Sequence, residues 1–194
     1  MLDEIQIESL LEEIKSLPFQ DEQVAPVAFF DADHTLWAGD LGDLIARTAM
    51  NENLLKPEAQ ASVAEILKRS KGTPTNNPNR DSQLIMEHYF RDEVAEIDII
   101  SAQTVCYAGW TPEELFDFSQ KLFDRHLAPK IYEDMARLHD ALRQVGIDIK
   151  VISGSPQWTV EAACERLGIE KSDVYGARSV VANGKLTGEM DPPI

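Results

Sequence analysis

Four consecutive apolar residues, Val27-Ala28-Phe29-Phe30, stop abruptly at Asp31-Ala32-Asp33. A short unbroken apolar run suits a strand buried on both faces of a parallel sheet, because an antiparallel strand with one wet face alternates. The polar cluster then falls at the strand's carboxyl end, the edge at which open α/β sheets bind ligands. A second run, Ile147-Asp148-Ile149-Lys150-Val151-Ile152, alternates and then turns apolar, and it ends the same way at Ser153-Gly154-Ser155-Pro156. Side by side in one parallel sheet, the two strands would deliver both polar clusters to one place.

The intervening chain reads differently. From about residue 41 to 128, leucines and acids mix at helical spacing, as in Leu41 to Met50 and Ala59 to Leu67. A polar stretch from Lys71 to Asn79, with Pro74 and Pro78, breaks the pattern as an exposed loop. Thr111-Pro112-Glu113-Glu114 is a helix start: Thr111 caps, Pro112 suits the first helical position and Glu114 can close a capping box. A further helix runs roughly from Lys130 to Gln144 and ends at Gly146, and another from about Thr159 to Leu167. Val174-Tyr175-Gly176 reads as a short third strand. Ser179 to Ala182, then Asn183-Gly184, then Lys185 to Thr187 predicts a hairpin, since Asn-Gly supplies the positive φ angles of a tight turn. At the amino end, Ile5, Ile7, Leu10, Leu11, Ile14 and Leu17 form a helical stripe that packs on the core and stops at Pro18. The class is α/β: residues 1–26 as helix and lead-in, 27–40 and 129–194 as the sheet-bearing core, and 41–128 as a helical insertion.

Charge narrows the partners. The chain has 194 residues with 34 acidic and 18 Lys or Arg, a formal net charge of −16. Nucleic acids and anionic membranes are bound by clustered basic residues, so neither is expected as a partner. No apolar run approaches the ~20 residues of a membrane span. The first residues, MLDEIQIESLLEEI, have no basic region ahead of an apolar core, and a soluble cytoplasmic protein is expected. Cys106 and Cys164 lie far apart without CxxC spacing, which argues against a zinc site or disulfide framework. An anionic small molecule remains a possible substrate if a bound cation reverses the local field.

The residue types at the strand ends point to phosphate chemistry. Asp31 and Asp33, one residue apart, can approach one point above the sheet edge, where a divalent cation such as magnesium (Mg2+) would offset their repulsion. Thr35 adds a hydroxyl in the same turn. The alternative is a simple Asx turn with Thr35 as a cap. Gly154 lets the backbone approach a ligand, and Ser155 could cap the following helix, whose first amides would face an anion. The two strand-end clusters together favour a phosphate site over two unrelated turns.

Phe29-Phe30-Asp31-Ala32-Asp33-His34-Thr35-Leu36 and Val151-Ile152-Ser153-Gly154-Ser155-Pro156 resemble the first and second motifs of the haloacid dehalogenase superfamily. Their order and their 153 − 31 = 122-residue separation match the phosphoserine phosphatase-like branch, which inserts a helical cap after the first motif. Gly109 to Leu115 resembles that cap, and Ala128-Pro129 its return to a Rossmann-like core. The resemblance, over about residues 27 to 190, implies a magnesium-dependent phosphomonoester hydrolase acting on a small phosphorylated metabolite. It implies Asp31 as nucleophile forming an aspartyl phosphate, and Asp33 as general acid and then base. It implies magnesium held by the Asp31 carboxylate and the Asp33 main-chain carbonyl. Thr35 would support the turn at the phosphate site, while Ser153 and the Gly154 amide hold phosphoryl oxygens. Asp33 also argues against dehalogenation, because the dehalogenases lack an acid there.

Asp40 stands where the branch keeps a glutamate for the substrate amine, and the shorter side chain could instead cap a helix beginning near Leu41. Trp37, Trp110 and Trp158 could meet an alkylammonium group or fill the core. His34, His88, His126 and His139 have no ligand-like spacing. The family's stabilising lysine and its Gly-Asp-x-x-x-Asp acidic motif find no match before Ile194, and Lys171, Asp173, Lys185 and Asp191 are not assigned to them. The first strand would then expose an apolar edge, and the expectation is an N-terminal portion of a longer or cleaved polypeptide, poorly catalytic alone. The alternatives are a non-catalytic phosphate-binding or regulatory domain, and a phosphotransferase working through the same intermediate. Oligomeric state is not legible.

Overall fold

Parallel pairing of β1 (Val27–Asp31) with β2 (Asp148–Pro156) organises the protein, in the register Val27 to Asp148 through Asp31 to Ile152. A third parallel strand, β3 (Val174–Ala177), lies on the other side of β2, giving the order β1-β2-β3. The structure, a computed structural model, describes residues 4–16 and 26–192. The helix stop expected at Pro18 lies outside these residues, as do Leu17 and Ile194.

In a parallel pair, partnered residues point to the same face, so alternate residues of β1 and β2 sort into two sets. Ala28, Phe30, Ile149 and Val151 face inward, and the Phe30 ring meets His139 edge-on at 4.4 Å between centroids. His139 belongs to α7 (Glu133–Gln144), and α8 (Gln157–Cys164) packs Val160 and Ala163 beside β2 and β3. The opposite set stands open: Phe29 is 62% exposed, Ile152 51% and Tyr175 50%. The expectation of a first strand buried on both faces is therefore corrected. Among the described residues β1 pairs only with β2, and only its Ala28 and Phe30 side is covered.

Between β1 and α7 the chain forms five helices: α2 (Leu41–Asn51), α3 (Gln60–Arg69), α4 (Pro78–Tyr89), α5 (Glu96–Val105) and α6 (Pro112–His126). Their apolar stripes, including Leu41, Ile45, Val63, Leu67, Ile85, Leu115 and Phe123, share one core with the sheet. The capping box forms as expected: Thr111 Oγ1 accepts from Glu114 N at 3.1 Å, and Glu114 Oε2 accepts from Thr111 N at 2.8 Å. The loop expected to reach Asn79 ends at Asn77, whose side chain caps α4 with Pro78 in the first helical position. The helix expected from Lys130 starts at Glu133, after a short 3-10 turn over Ala128–Lys130.

The hairpin of β4 (Ser179–Ala182) and β5 (Lys185–Met190) turns on Asn183 (φ 52°) and Gly184 (φ 74°), the left-handed conformations that Asn-Gly favours. It seats on the helical segment, where Gly109 N donates to Leu186 O and Leu186 N to Trp110 O, each at 2.8 Å. The amino-terminal helix α1 (Glu4–Lys15) buries Ile7 and lays Leu10, Leu11 and Ile14 against the core beside α7. Cys106 and Cys164 are buried free thiols. No helix of the described residues is long and apolar enough to cross a membrane.

His139 makes the fold sensitive to acid. It is 2% exposed, and neither ring nitrogen has a hydrogen-bond partner among the described residues. Burial, helped by the nearby Arg143 charge, pushes its pKa down from 6.5 to about 4. An unfolded chain takes up the proton near pH 6.5 and the folded protein only near 4, so this residue's penalty is absent above 6.5 and grows as pH falls towards 4. Thermal unfolding at pH 7.5 and 4.5 tests this. The His139→Leu variant should lose less Tm between the two values than the native protein, and an equal loss refutes the assignment.

Candidate active site

The register of β1 and β2 places Asp31 against Ile152, so the residues that follow each strand leave the sheet as neighbours. There they line a cavity of about 530 Å³ with helical residues facing them. Asp31, Asp33, Asp40, Ser153 and Gly154, all singled out in the sequence, lie on this one wall and rim. Thr35 does not line the cavity. Its hydroxyl donates to Asp31 Oδ2 at 3.2 Å and so steadies the carboxylate from behind.

Local backbone geometry sets the first cluster. After β1 the chain turns through Ala32, whose carbonyl accepts from Leu36 N at 2.8 Å, and His34 adopts a left-handed φ of 60°. This turn brings Asp33 back toward α2. Its Oδ1 accepts from Leu41 N at 2.7 Å and from Trp37 Nε1 at 2.9 Å, while Oδ2 accepts from Ser155 Oγ at 2.6 Å. Burial raises the Asp33 pKa. The bonds from Ser155, Leu41 and Trp37 oppose that shift, and the Asp40 charge adds to it. A carboxyl that holds its proton more readily than usual suits an acid.

The second cluster departs from expectation in one residue. Ser155 does not cap α8; Pro156 occupies that position without a side-chain cap, and the serine hydroxyl turns to Asp33 instead. Ser153 Oγ accepts from Ser155 N at 3.1 Å. Gly154 is exposed, with its Cα facing Ile100 of α5 closely enough that an added Cβ would lie 3.3 Å from that side chain.

Asp40 takes the capping role, and it stands on the cavity as well. It is the N-cap of α2, with Oδ1 accepting from Asp43 N at 2.7 Å, and it also lines the cavity. None of the three tryptophans lines the cavity. Trp37 is fully buried edge-on against Phe123 and serves as a donor to Asp33, while Trp158 borders a separate hollow with Phe116 and Lys171.

The helical side of the cavity was not legible in the sequence. Asp43 of α2, Met86 and Tyr89 of α4, Phe90, and Glu96, Ile99, Ile100 and Gln103 of α5 supply it, together with His34. These residues carry no short motif, and only the packing of α2, α4 and α5 gathers them. Five carboxylates line the cavity, and no Lys or Arg does. Arg47, paired with Asp43 at 2.6 Å and lying over the Phe90 ring at 4.8 Å, is the one cation ion-paired with a lining carboxylate among the described residues.

The donors suit magnesium in kind. Magnesium takes hard oxygens and is commonly held by one or two carboxylates plus substrate phosphate. Asp31 has an accessible carboxylate with a single hydroxyl donor, whereas the Asp33 carboxylate is already engaged by three donors, leaving its main-chain carbonyl. Among the described residues no three acidic, histidine or cysteine side chains gather as a metal-holding group. Lys171 sits over the Phe116 ring, Asp173 pairs with Lys150, Asp191 pairs with Arg178 at 3.1 Å, and Lys185 opens β5; none lines the cavity.

A family model described as haloacid dehalogenase-like hydrolase matches residues 28–194. No curated protein matches the chain. Among solved structures, a protein of unknown function from Bordetella pertussis Tohama I superposes with a TM-score of 0.63 at 17% identity, over 87% of this chain and 67% of that one. A functionally unknown protein from Anaerococcus prevotii DSM 20548 gives a TM-score of 0.65 at 15% identity, over 96% and 70%. A phosphoserine phosphohydrolase-like protein from Francisella tularensis subsp. tularensis SCHU S4 gives 0.50 at 13% identity, over 86% and 64%. The likenesses establish a shared fold.

Loss of the Asp40 side chain tests the cap. Asp40→Ala should lower stability to chemical denaturation by about 1 kcal/mol, the usual loss of an N-cap, and Asp40→Asn by clearly less. Equal losses would mean that charge, not capping, is what the fold uses.

Proposed function

This chain belongs to the haloacid dehalogenase-like hydrolases, and we propose that it is a phosphomonoester hydrolase working through an aspartyl phosphate on Asp31. The observation that carries the reading is the meeting of Asp31, Asp33, Ser153 and Gly154 at two adjoining strand ends on one cavity. The reading is supported by an exposed carboxylate at the strand end, Asp31, and by its half-buried neighbour two residues on, Asp33, whose pKa is raised.

In this reading the phosphoryl group enters against Ser153 Oγ and the Gly154 amide. One Asp31 oxygen forms a bond to phosphorus as the ester oxygen leaves, and Asp33 gives that oxygen its proton. The Asp33 carboxylate then takes a proton from water, whose oxygen attacks phosphorus and frees Asp31. Asp31 and the Asp33 main-chain carbonyl would hold magnesium, which supplies positive charge against the nucleophile and the phosphoryl oxygens. Without such charge an acidic wall would repel a phosphate.

The cavity also favours one kind of substrate. Its volume suits a small metabolite, and its helical side combines Asp43 and Glu96 with Tyr89 and Phe90, while Asp40 stands on the rim. An ammonium group gains from both carboxylate and aromatic neighbours. A substrate carboxylate finds no lining cation. The reading is therefore a phosphomonoester whose alcohol is neutral or cationic.

Phosphate release from ethyl phosphate, 2-aminoethyl phosphate and phosphoserine, in the presence of magnesium, tests this. Asp31→Asn should abolish turnover while phosphate binding remains, and hydrolysis that survives the substitution removes Asp31 as nucleophile. Asp33→Asn should cost roughly 10²- to 10⁴-fold, the range of positioned acid–base groups. The kcat/KM order should be 2-aminoethyl phosphate over ethyl phosphate over phosphoserine, and preference for phosphoserine overturns the substrate reading alone.

A further inference from the structure

We propose that Ser155 is the positioning residue for Asp33, and that position 42 is glycine because the Ser155 hydroxyl occupies the space a side chain there would need. The inference rests on the assignment of Asp33 as the acid.

Ser155 is 6% exposed, and its hydroxyl reaches Asp33 Oδ2 at 2.6 Å across 122 residues of sequence. A buried hydroxyl is costly unless it is paired, and this one spends its proton on a single carboxylate oxygen rather than on a helix cap. The two Asp33 oxygens are used differently. Oδ1 accepts from both Leu41 N and Trp37 Nε1, which occupy its two lone pairs. Oδ2 accepts from Ser155 alone and keeps one lone pair for a transferable proton. Oδ2 is thus the working oxygen, and Ser155 is the side chain that touches it.

The three donors come from three elements: the turn after β1, the first residue of α2 and the end of β2. Leu41 N and Trp37 Nε1 both grip Oδ1, so without a second point of attachment the carboxyl can swing about that oxygen. Ser155 supplies that point and thereby ties the rotamer to the strand that presents Ser153. Gly42 makes the contact possible. A Cβ added there would lie 2.5 Å from Ser155 Oγ and 3.3 Å from its Cβ. Alanine is the better helix former, so glycine inside α2 has a packing reason.

The reaction step fixes the readout. In the first transfer the Asp33 Oδ2–H bond breaks, the leaving oxygen gains that proton, the P–O ester bond breaks and the Asp31 O–P bond forms. Ethyl phosphate needs this proton because an alkoxide leaves poorly, whereas 4-nitrophenyl phosphate departs as a stable phenolate. A misaligned acid therefore harms the first ester and spares the second. A general structural defect harms both.

The experiment compares kcat/KM for both esters in the native protein, Ser155→Ala, Gly42→Ala and the double variant. Ser155→Ala should lose about tenfold or more on ethyl phosphate, part of the range of acid catalysis, and less than about threefold on 4-nitrophenyl phosphate. Gly42→Ala should copy this selective loss, and the double variant should lose little beyond Ser155→Ala, since the 2.5 Å clash with the hydroxyl is gone and only the 3.3 Å Cβ contact remains. Equal losses on the two esters, or no loss, overturn the proposal. A native protein that hydrolyses neither ester overturns the hydrolase reading instead. The rotamer is then read directly from hydrogen exchange of the Trp37 indole N–H, which should quicken in Ser155→Ala; unchanged exchange overturns the positioning role.

Discussion

The parallel register that sets Asp31 beside Ile152 decides where the strand-end residues of the cavity sit. Side chains alternate along a strand, so a slip of one residue would turn Phe30 away from His139 and send Phe29 into its place. The inward set, Ala28 and Phe30 beside Ile149 and Val151, therefore locks the register through packing. Once it is locked, the residues that follow the two strands must emerge together, and the Asp33–Ser155 contact at 2.6 Å is a consequence. The helical segment joins the same arrangement through Leu41, whose amide is bound by Asp33 and whose side chain is fully buried.

Electrostatics pulls in two directions around that junction. Five carboxylates share a cavity in a chain whose net charge is −16, and Asp33 and Asp43 both titrate above the usual range because burial disfavours their charged forms. Hydrogen bonds from Trp37, Leu41 and Ser155 and the Arg47 guanidinium hold this charge in place. Asp31 is arranged differently. It is exposed and touched by one hydroxyl, which leaves its carboxylate accessible. Two carboxylates two residues apart thus receive separate environments, the usual basis for giving like groups different tasks.

Much of this was legible in advance because it rests on local physics. Thr111 and Glu114, Asp40, and Asn183-Gly184 each act within a few residues, through capping or turn geometry, and each formed as its chemistry requires. The strand ends were legible because apolar runs and polar stops alternate visibly along the chain. Ser155 was not, since a serine before a helix reads as a cap and only its neighbour across the sheet shows otherwise. The open face of β1 leaves no sign in the sequence for a related reason: an apolar run records that a strand can be covered on both sides, not what covers it. Tyr89, Phe90, Glu96 and Gln103 stand on helices whose internal pattern serves the core, so their place on the cavity left no mark in their own segments.

The amino-acid sequence by itself determined the α/β class, the two strand ends that carry the site and the caps that start the helices, because these depend on spacing, propensity and backbone geometry over a few residues. Only the tertiary structure decided which oxygen of Asp33 takes the Ser155 hydroxyl, how closely residue 42 approaches that hydroxyl and which helical residues face the strand ends. Those facts are distances between segments as much as 122 residues apart, and they exist only once the sheet register and the helix packing are both set.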